Sequence, residues 1–483
     1  MKKNIILFLA LTLGKTIWNN VYAQNEKLGS GLPESARLLS DFIQYRSLTG
    51  SENAAGEYLT SICHERSLHV DVLSDEIGSY NFTASLYPLT SGKPNIILLN
   101  HLDVVPANDS ACWKYPPFDG TIADGKVWGR GAIDSKGLAI MQVLAICRLK
   151  PLADYIDLPY NVTVLCVSEE EGSSKKGASL VVTKYLDRLS PIVVFGEGGA
   201  GMNWTSSRDR ERVMFGISTC EKQALWLTLK IAIQSEAHGA APPSQYANKE
   251  MIDGLSELLK AKQPMEISDV NMGLLKSIGH LEKGVKGFVL RHIRLFKPFL
   301  TKSLRASESV SPLLSNTITL TQLTNPPGVA NQIGQEITAS LDCRLLPGTD
   351  PDKFIKQIRK VFSSTEVSIE VDLLTINAGP SSIENIFFQK FSQSIADVYP
   401  NAMVVPYLFP AYSDNSFFRS KGIPAYGIMP LILSSRELQS IHNVDEHILI
   451  QSLENGIAVY TTFLNKVLLP TSSVATNSSF NNK

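Results

Sequence analysis

Five short stretches of this chain carry histidines and carboxylates in patterns that could hold metal ions. They are His101-Leu102-Asp103, Asp134 within WGRGAIDSKG, Ser168-Glu169-Glu170-Glu171-Gly172, Glu197 within FGEGGAG, and His442 within SIHNVDEH. The first four fall where apolar strand-like runs give way to loops, the position at which open α/β sheets build their sites. His101 follows NIILLN directly, and alternation puts His101 and Asp103 on one side, so that Asp103 could fix the tautomer of a metal-binding His101. Asp134 precedes a helical pattern, where it could bridge two metals or simply cap the helix. Three adjacent glutamates at the end of a buried strand repel one another unless cations neutralise them, although a solvated loop is the plain alternative. A lone Glu197 or His442 says little. As a set, however, His101, Asp134, Glu171, Glu197 and His442 supply nitrogen and oxygen donors suited to zinc.

The elements that must position these residues alternate between strand and helix. Helical spacing over Glu34 to His69 indicates two opening helices. The runs NIILLN, NVTVLCV and PIVVF read as strands, separated by helical patterns near Gly137 to Leu149 and Ala178 to Leu189. Such alternation predicts an α/β sheet with parallel neighbours. From Arg212 the pattern changes to longer alternating strands, TCEKQALWLTLKIAI and NTITLTQLT, then ITASLDCRLLPG, the helix-like DPDKFIKQIRKVF and VSIEVDLL. This predicts an inserted α+β domain over 212–375 that splits the catalytic domain into 24–211 and 376–469. The end, 470–483, is polar and unpatterned and reads as a disordered tail.

Composition narrows the function. Lys and Arg number 45 against 46 Asp and Glu, a net charge of −1 in 483 residues. Nothing here draws the chain to nucleic acid. Lys2 and Lys3, the apolar run Ile5 to Leu13 and small residues up to Ala23 form a secretory signal pattern over 1–23, implying a secreted or periplasmic product. None of the six cysteines forms Cys-x-x-Cys, and three of them, Cys147, Cys166 and Cys343, lie inside apolar patterns, against a cysteine zinc site. Disulfides are open to an exported protein. One basic stretch, Lys283 to Arg305, interleaves Lys and Arg with Phe, Leu and Val. It could rest on an anionic membrane surface. Packing of its apolar face within the inserted domain is the favoured expectation, because Gly284, Gly287 and Pro298 interrupt a long helix.

The motifs NHLDVVP, WKYPPFDGTIADGKVWGRGAIDSKG, SEEEG, GEGG, SEAHGAAP, NQIGQEITASLDCRLLPG, YSDNSFF and IHNVDE occur in an order that resembles a known family. It is the zinc exopeptidase family of carboxypeptidase S, aminoacylase-1, glutamate carboxypeptidase and succinyl-diaminopimelate desuccinylase, and the carboxypeptidase S branch is the most similar. The resemblance covers nearly the whole mature chain. It implies a di-zinc α/β catalytic domain with a ferredoxin-like α+β lid that can also form a homodimer. Asp134 would bridge two zinc ions, or cobalt or manganese in their place, with His101 and Glu197 completing one site and Glu171 and His442 the other. Glu170 would be the general base, while Asp103 keeps the part its own spacing suggests, orienting His101 and so serving catalysis. On the lid, His238 would stabilise the oxyanion, and Arg344 and Asn331 would hold a substrate carboxylate. The substrate implied is a small peptide or an N-acyl amino acid, with fatty-acyl amides as an alternative and a non-catalytic peptide binder as a rival. Three positions depart from the family pattern. Glu169 stands where relatives have Asp, Ser135 follows Asp134 where a second Asp is frequent, and Gly196 precedes Glu197 where this branch often has Asp.

Overall fold

The computed structural model describes residues 31–74, 78–204, 212–234, 238–307, 310–362 and 366–469. The signal pattern and the polar tail lie outside these residues. The larger sheet has eight strands in the spatial order His69–Ser74, Asn81–Ser85, Asn161–Val167, Asn95–His101, Pro191–Trp204, Ala425–Ile432, Arg212–Glu221 and Ala402–Phe409. Asn95–His101 lies parallel between Asn161–Val167 and Pro191–Trp204. This parallel centre is why NIILLN and NVTVLCV are apolar throughout rather than alternating, because both faces are covered.

One face is closed by the helices Lys136–Ala153, Ile386–Val398 and Ile450–Leu468, whose side chains join Phe195, Phe391, Tyr460 and Phe463 in the main core. Lys136–Ala153 is buried nearly all round, and it starts close against the preceding loop. A Cβ on Gly137 would lie 2.2 Å from the Ala132 carbonyl oxygen, so only glycine allows the approach.

The second sheet is antiparallel, in the order Thr317–Thr324, Glu336–Leu345, Gln223–Ala232 and Val367–Leu374. Its buried face, Leu225, Leu227, Leu229 and Ile231, is covered by the helices Ala247–Lys260 and Pro351–Val361. The insert was expected to open at Arg212, but Arg212–Glu221 belongs to the larger sheet, where it pairs with Ala402–Phe409. The chain crosses over at Lys222. In the sequence the residues on either side of Lys222 read as one continuous strand-like run, TCEKQALWLTLKIAI, so the change of sheet left no break in it.

The crossover is built from buried polar groups. Glu221, the last residue of its strand, accepts two hydrogen bonds from Arg419, each 3.1 Å, and one from Ser413 Oγ at 2.8 Å. Lys222 turns inward, and its Nζ donates to the carbonyls of Pro312 and Ser315 at 3.1 and 3.0 Å. Burial lowers its pKa to about 7. Thr375, on the return path, accepts from Ala224 N through its Oγ1 at 2.8 Å.

The basic stretch forms two helices, Gly284–Arg291 and Ile293–Ala306, rather than one face on the small sheet. Ile293, Leu300 and Leu304 pack with Met265, Ile267, Leu275 and Leu314 in a separate cluster. The adjoining helix Asp269–Leu281 leans on the larger sheet through Leu274 against Met214 and Val405. Only one side of the basic helices is used, which the expectation of inward packing had not divided. All six cysteines are free of disulfides, and no helix among the described residues is long and apolar enough to cross a membrane.

Glu221 and Arg419 are both about 2% exposed, so neither charge is solvated once its partner is lost. Arg419→Ala is therefore expected to cost roughly 3–5 kcal/mol of stability. Urea unfolding followed by circular dichroism measures it, and a loss below about 1 kcal/mol, the range of exposed pairs, would show that the pair is dispensable.

Candidate metal centre

The site lies beyond the carboxyl ends of the central parallel strands. His101 is the last residue of its strand and is 1% exposed. Its Nδ1 lies 2.9 Å from the backbone carbonyl of Asp103, while its Nε2 faces Asp134 Oδ1 at 3.0 Å and Glu197 Oε2 at 3.4 Å. His442 Nε2 lies 2.9 Å from Glu171 Oε1 and 3.2 Å from Asp134 Oδ2. The two oxygens of Asp134 thus face different histidines. The peptide bond between Asp134 and Ser135 is cis.

Asp103 has a wider part than the sequence suggested. Its carboxylate accepts from the backbone N–H groups of Glu170 and Glu171 at 3.0 and 3.1 Å and from Thr49 Oγ1 at 2.9 Å. It therefore fixes the glutamate loop as well as the neighbourhood of His101, whose Nδ1 is 3.4 Å from its Oδ1. Glu170 lines a small cavity with His101, Glu197, Asp414 and Asn415. Glu169 turns away, accepting from Lys176 N at 2.8 Å. Gly196 also has a local reason, since a Cβ there would lie 2.6 Å from Asn415 Oδ1. Asn415 in turn donates to the Glu197 carbonyl at 2.8 Å.

Electrostatics tests whether these residues suit cations. Burial pushes the Glu197 carboxyl up to about 7 and, reinforced by Glu197, raises Glu170 well above the usual carboxylate range. Burial, with Asp134 beside it, raises Glu171 as well. His442 is raised to about 10 by hydrogen bonds to Asp134 and Glu171. Burial also acts on Asp134, but His101 and His442 overcome it and hold that carboxyl well below its ordinary value. Left to themselves, these groups gather protons to offset crowded negative charge. Cations do the same work without protonating the donors, so the set fits metal ions. His101, Glu170 and Glu197 offer ligand atoms within 4.8 Å of one another, and so do His101, Asp134 and Glu171.

The remaining candidates lie on the second sheet. His238 Nε2 and Asn331 Nδ2 are 3.1 Å apart at an exposed position. Arg344 holds Asp342 through two hydrogen bonds of 2.8 and 3.1 Å. Among the described residues, none of these three has a hydrogen bond or ion pair to the His101 and His442 cluster.

Two residues had no role assigned from the sequence. Glu446 is completely buried and accepts from Arg130 Nη1 at 2.7 Å and from the N–H groups of Gly131, Ile133 and Asp134 at 2.9, 2.9 and 3.2 Å. It clamps the loop that carries Asp134. Among the described residues, nothing within hydrogen-bond geometry meets the two buried carboxylate oxygens of Asp414, and burial raises it to about 8. Each sits inside a quoted motif, four residues after His442 and between Ser413 and Asn415, and that was the only signal.

A model of peptidase family M20/M25/M40 matches residues 97–466. The probable carboxypeptidase S-like 2 of Dictyostelium discoideum is 23% identical over 388 residues, covering 80% of this chain and 74% of its own. The N-fatty-acyl-amino acid synthase/hydrolase PM20D1 of Mus musculus is 24% identical over 389 residues, covering 78% and 76%. Among solved structures, the M20 family metallo-carboxypeptidase Sso-CP2 from Sulfolobus solfataricus gives a TM-score of 0.67 at 20% identity, covering 90% of this chain and 99% of that one.

The Glu446 clamp yields a test. Glu446→Gln keeps the shape but removes the charge facing Arg130, and it is expected to weaken divalent-metal affinity roughly 10–100-fold. Competition against a fluorescent metal chelator reads the change. Unaltered affinity would mean that the loop holds Asp134 without this carboxylate.

Proposed function

The chain belongs to peptidase family M20/M25/M40, and on that premise we propose that it uses two zinc ions to hydrolyse an amide bond beside a free carboxylate, in small peptides or N-acyl amino acids. The observation that carries this reading is the division of Asp134, with Oδ1 toward His101 and Oδ2 toward His442. Asp134 would bridge the ions, His101 and Glu197 would complete one position, and Glu171 and His442 the other. When bound, the two ions would polarise the scissile carbonyl and acidify the attacking water.

Glu170 is the general base in this proposal. It takes the proton from the water, whose oxygen attacks the carbonyl carbon, and returns that proton to the nitrogen as the C–N bond breaks. The carboxyl that takes up the water's proton is then the donor that the leaving nitrogen needs. Asp103 keeps Glu170 in place through the loop amides. His238 would donate to the developing oxyanion, with Asn331 beside it, and Arg344 would exchange Asp342 for the substrate carboxylate. Movement of the second sheet, or a second copy of the chain, would bring these lid residues to the bond.

Similarity to both a carboxypeptidase S-like protein and an N-fatty-acyl-amino acid synthase/hydrolase keeps peptides and fatty-acyl amides together as the substrate class. Export to the cell exterior or periplasm belongs to the same proposal.

Chelation is expected to abolish hydrolysis of dipeptides and N-acyl amino acids, and zinc to restore it. Glu170→Gln is expected to lower kcat by about 10²–10⁴-fold with zinc content unchanged. Full turnover in metal-free protein, or in the Gln variant, would sink the assignment.

A further inference from the structure

The helices Gly284–Arg291 and Ile293–Ala306 carry a surface that the hydrolytic site does not use. At 3.6 residues per turn, Ile293, Lys297, Leu300 and Leu304 share one side of the second helix, and Leu295 and Phe299 point the opposite way. The first side is committed to the protein: Ile293, Leu300 and Leu304 pack in the local cluster, and Lys297 Nζ donates to the Met265 carbonyl at 2.6 Å. The other side meets solvent, with Phe299 83% and Leu295 73% exposed. On the first helix Val285 is 79% and Phe288 48% exposed. Apolar side chains this open, grouped on two consecutive helices, mark an interaction surface.

Charge indicates the partner. Residues 283–306 contain seven Lys and Arg and no Asp or Glu, in a chain whose net charge is −1. Among the described residues, Asp269 lies 2.7 Å from Arg294 and Glu282 lies 2.9 Å from Lys286. Arg291 donates to the Gly279 carbonyl at 2.6 Å, a contact that keeps its charge. A second copy meeting this surface across a two-fold axis would bring one cationic patch onto another, which is unfavourable. Leu and Phe side chains flanked by Lys and Arg suit a helix lying in the headgroup region of an anionic bilayer, the rings among acyl chains and the cations at phosphates.

We propose that the Gly284–Ala306 surface docks this protein onto anionic lipid membranes. The contact is peripheral and reversible, made by Val285, Phe288, Leu295 and Phe299 with Lys302 and Arg305 at the edge. It is independent of how the hydrolytic site is assigned.

Flotation of the full-length protein with vesicles tests this. Binding is expected to vesicles of mixed phosphatidylcholine and phosphatidylglycerol, to fall with added salt, and to be absent for phosphatidylcholine alone. The double variant Leu295→Glu, Phe299→Glu is expected to weaken partition by about tenfold or more, with thermal stability unchanged. Lys302→Glu with Arg305→Glu, which leaves the apolar residues in place, is expected to reduce the salt dependence. No flotation, equal flotation with neutral vesicles, or wild-type flotation of both variants would overturn the proposal. So would light scattering showing a dimer that the Leu295→Glu, Phe299→Glu variant dissociates, because the surface would then join two copies.

Discussion

Everything near the metal centre answers to one constraint: several carboxylates are buried within a few ångströms of each other, and their mutual repulsion has to be offset. Asp134, Glu170, Glu171, Glu197 and Asp414 all face or adjoin this space. The structure divides its acids into two kinds. Asp103 and Glu446 spend their oxygens on backbone N–H groups, with Arg130 added for Glu446, and so act as fixed anchors. Glu170 and Asp414 lack such a cradle, and their charge is left for protons or metal cations to balance. Amide donors are costly to leave unpaired when buried, so each anchor also holds its loop in one conformation. Stability and chemistry therefore share the same hydrogen bonds.

The strand that bears Glu197 is linked to the way the second sheet is attached. Glu221 ends a strand of the larger sheet, binds Arg419 and Ser413, and is followed at once by Lys222 and the first strand of the smaller sheet. Ser413 accepts from Asn415, which also donates to the Glu197 carbonyl. A continuous set of buried hydrogen bonds thus joins the root of the insert to the strand bearing Glu197. Lys222 ties the same root to the carbonyls at Pro312 and Ser315, so the crossover is held from both sides.

Much of this was legible in the residues. Uninterrupted apolar runs revealed buried parallel strands, and the histidines and acids just after them marked the edge where a site forms. The spacing of His101 and Asp103 correctly put them together, though not the capture of two loop amides by Asp103, which depends on a loop 67 residues further on. Glu446 and Asp414 were invisible as individuals, because a buried acid is recognised by its partners, and those lie hundreds of residues away for Glu446. The boundary at Lys222 was hidden for a similar reason. Two strands in different sheets can follow each other in one unbroken strand-like run, and only their pairing separates them. The basic helices carried apolar residues on both sides, and a count of apolar positions cannot say which side the fold takes.

The sequence separation of the centre carries a temporal consequence. His101 and Asp134 emerge first in synthesis, whereas Glu446 follows 312 residues after Asp134, with His442 just before it. Until that segment leaves the ribosome, Asp134 has neither its second histidine nor the carboxylate that holds its loop. A growing chain, or one truncated before His442, is left with half a centre. The fold thereby delays assembly of the centre until the segment 312 residues beyond Asp134 has been made.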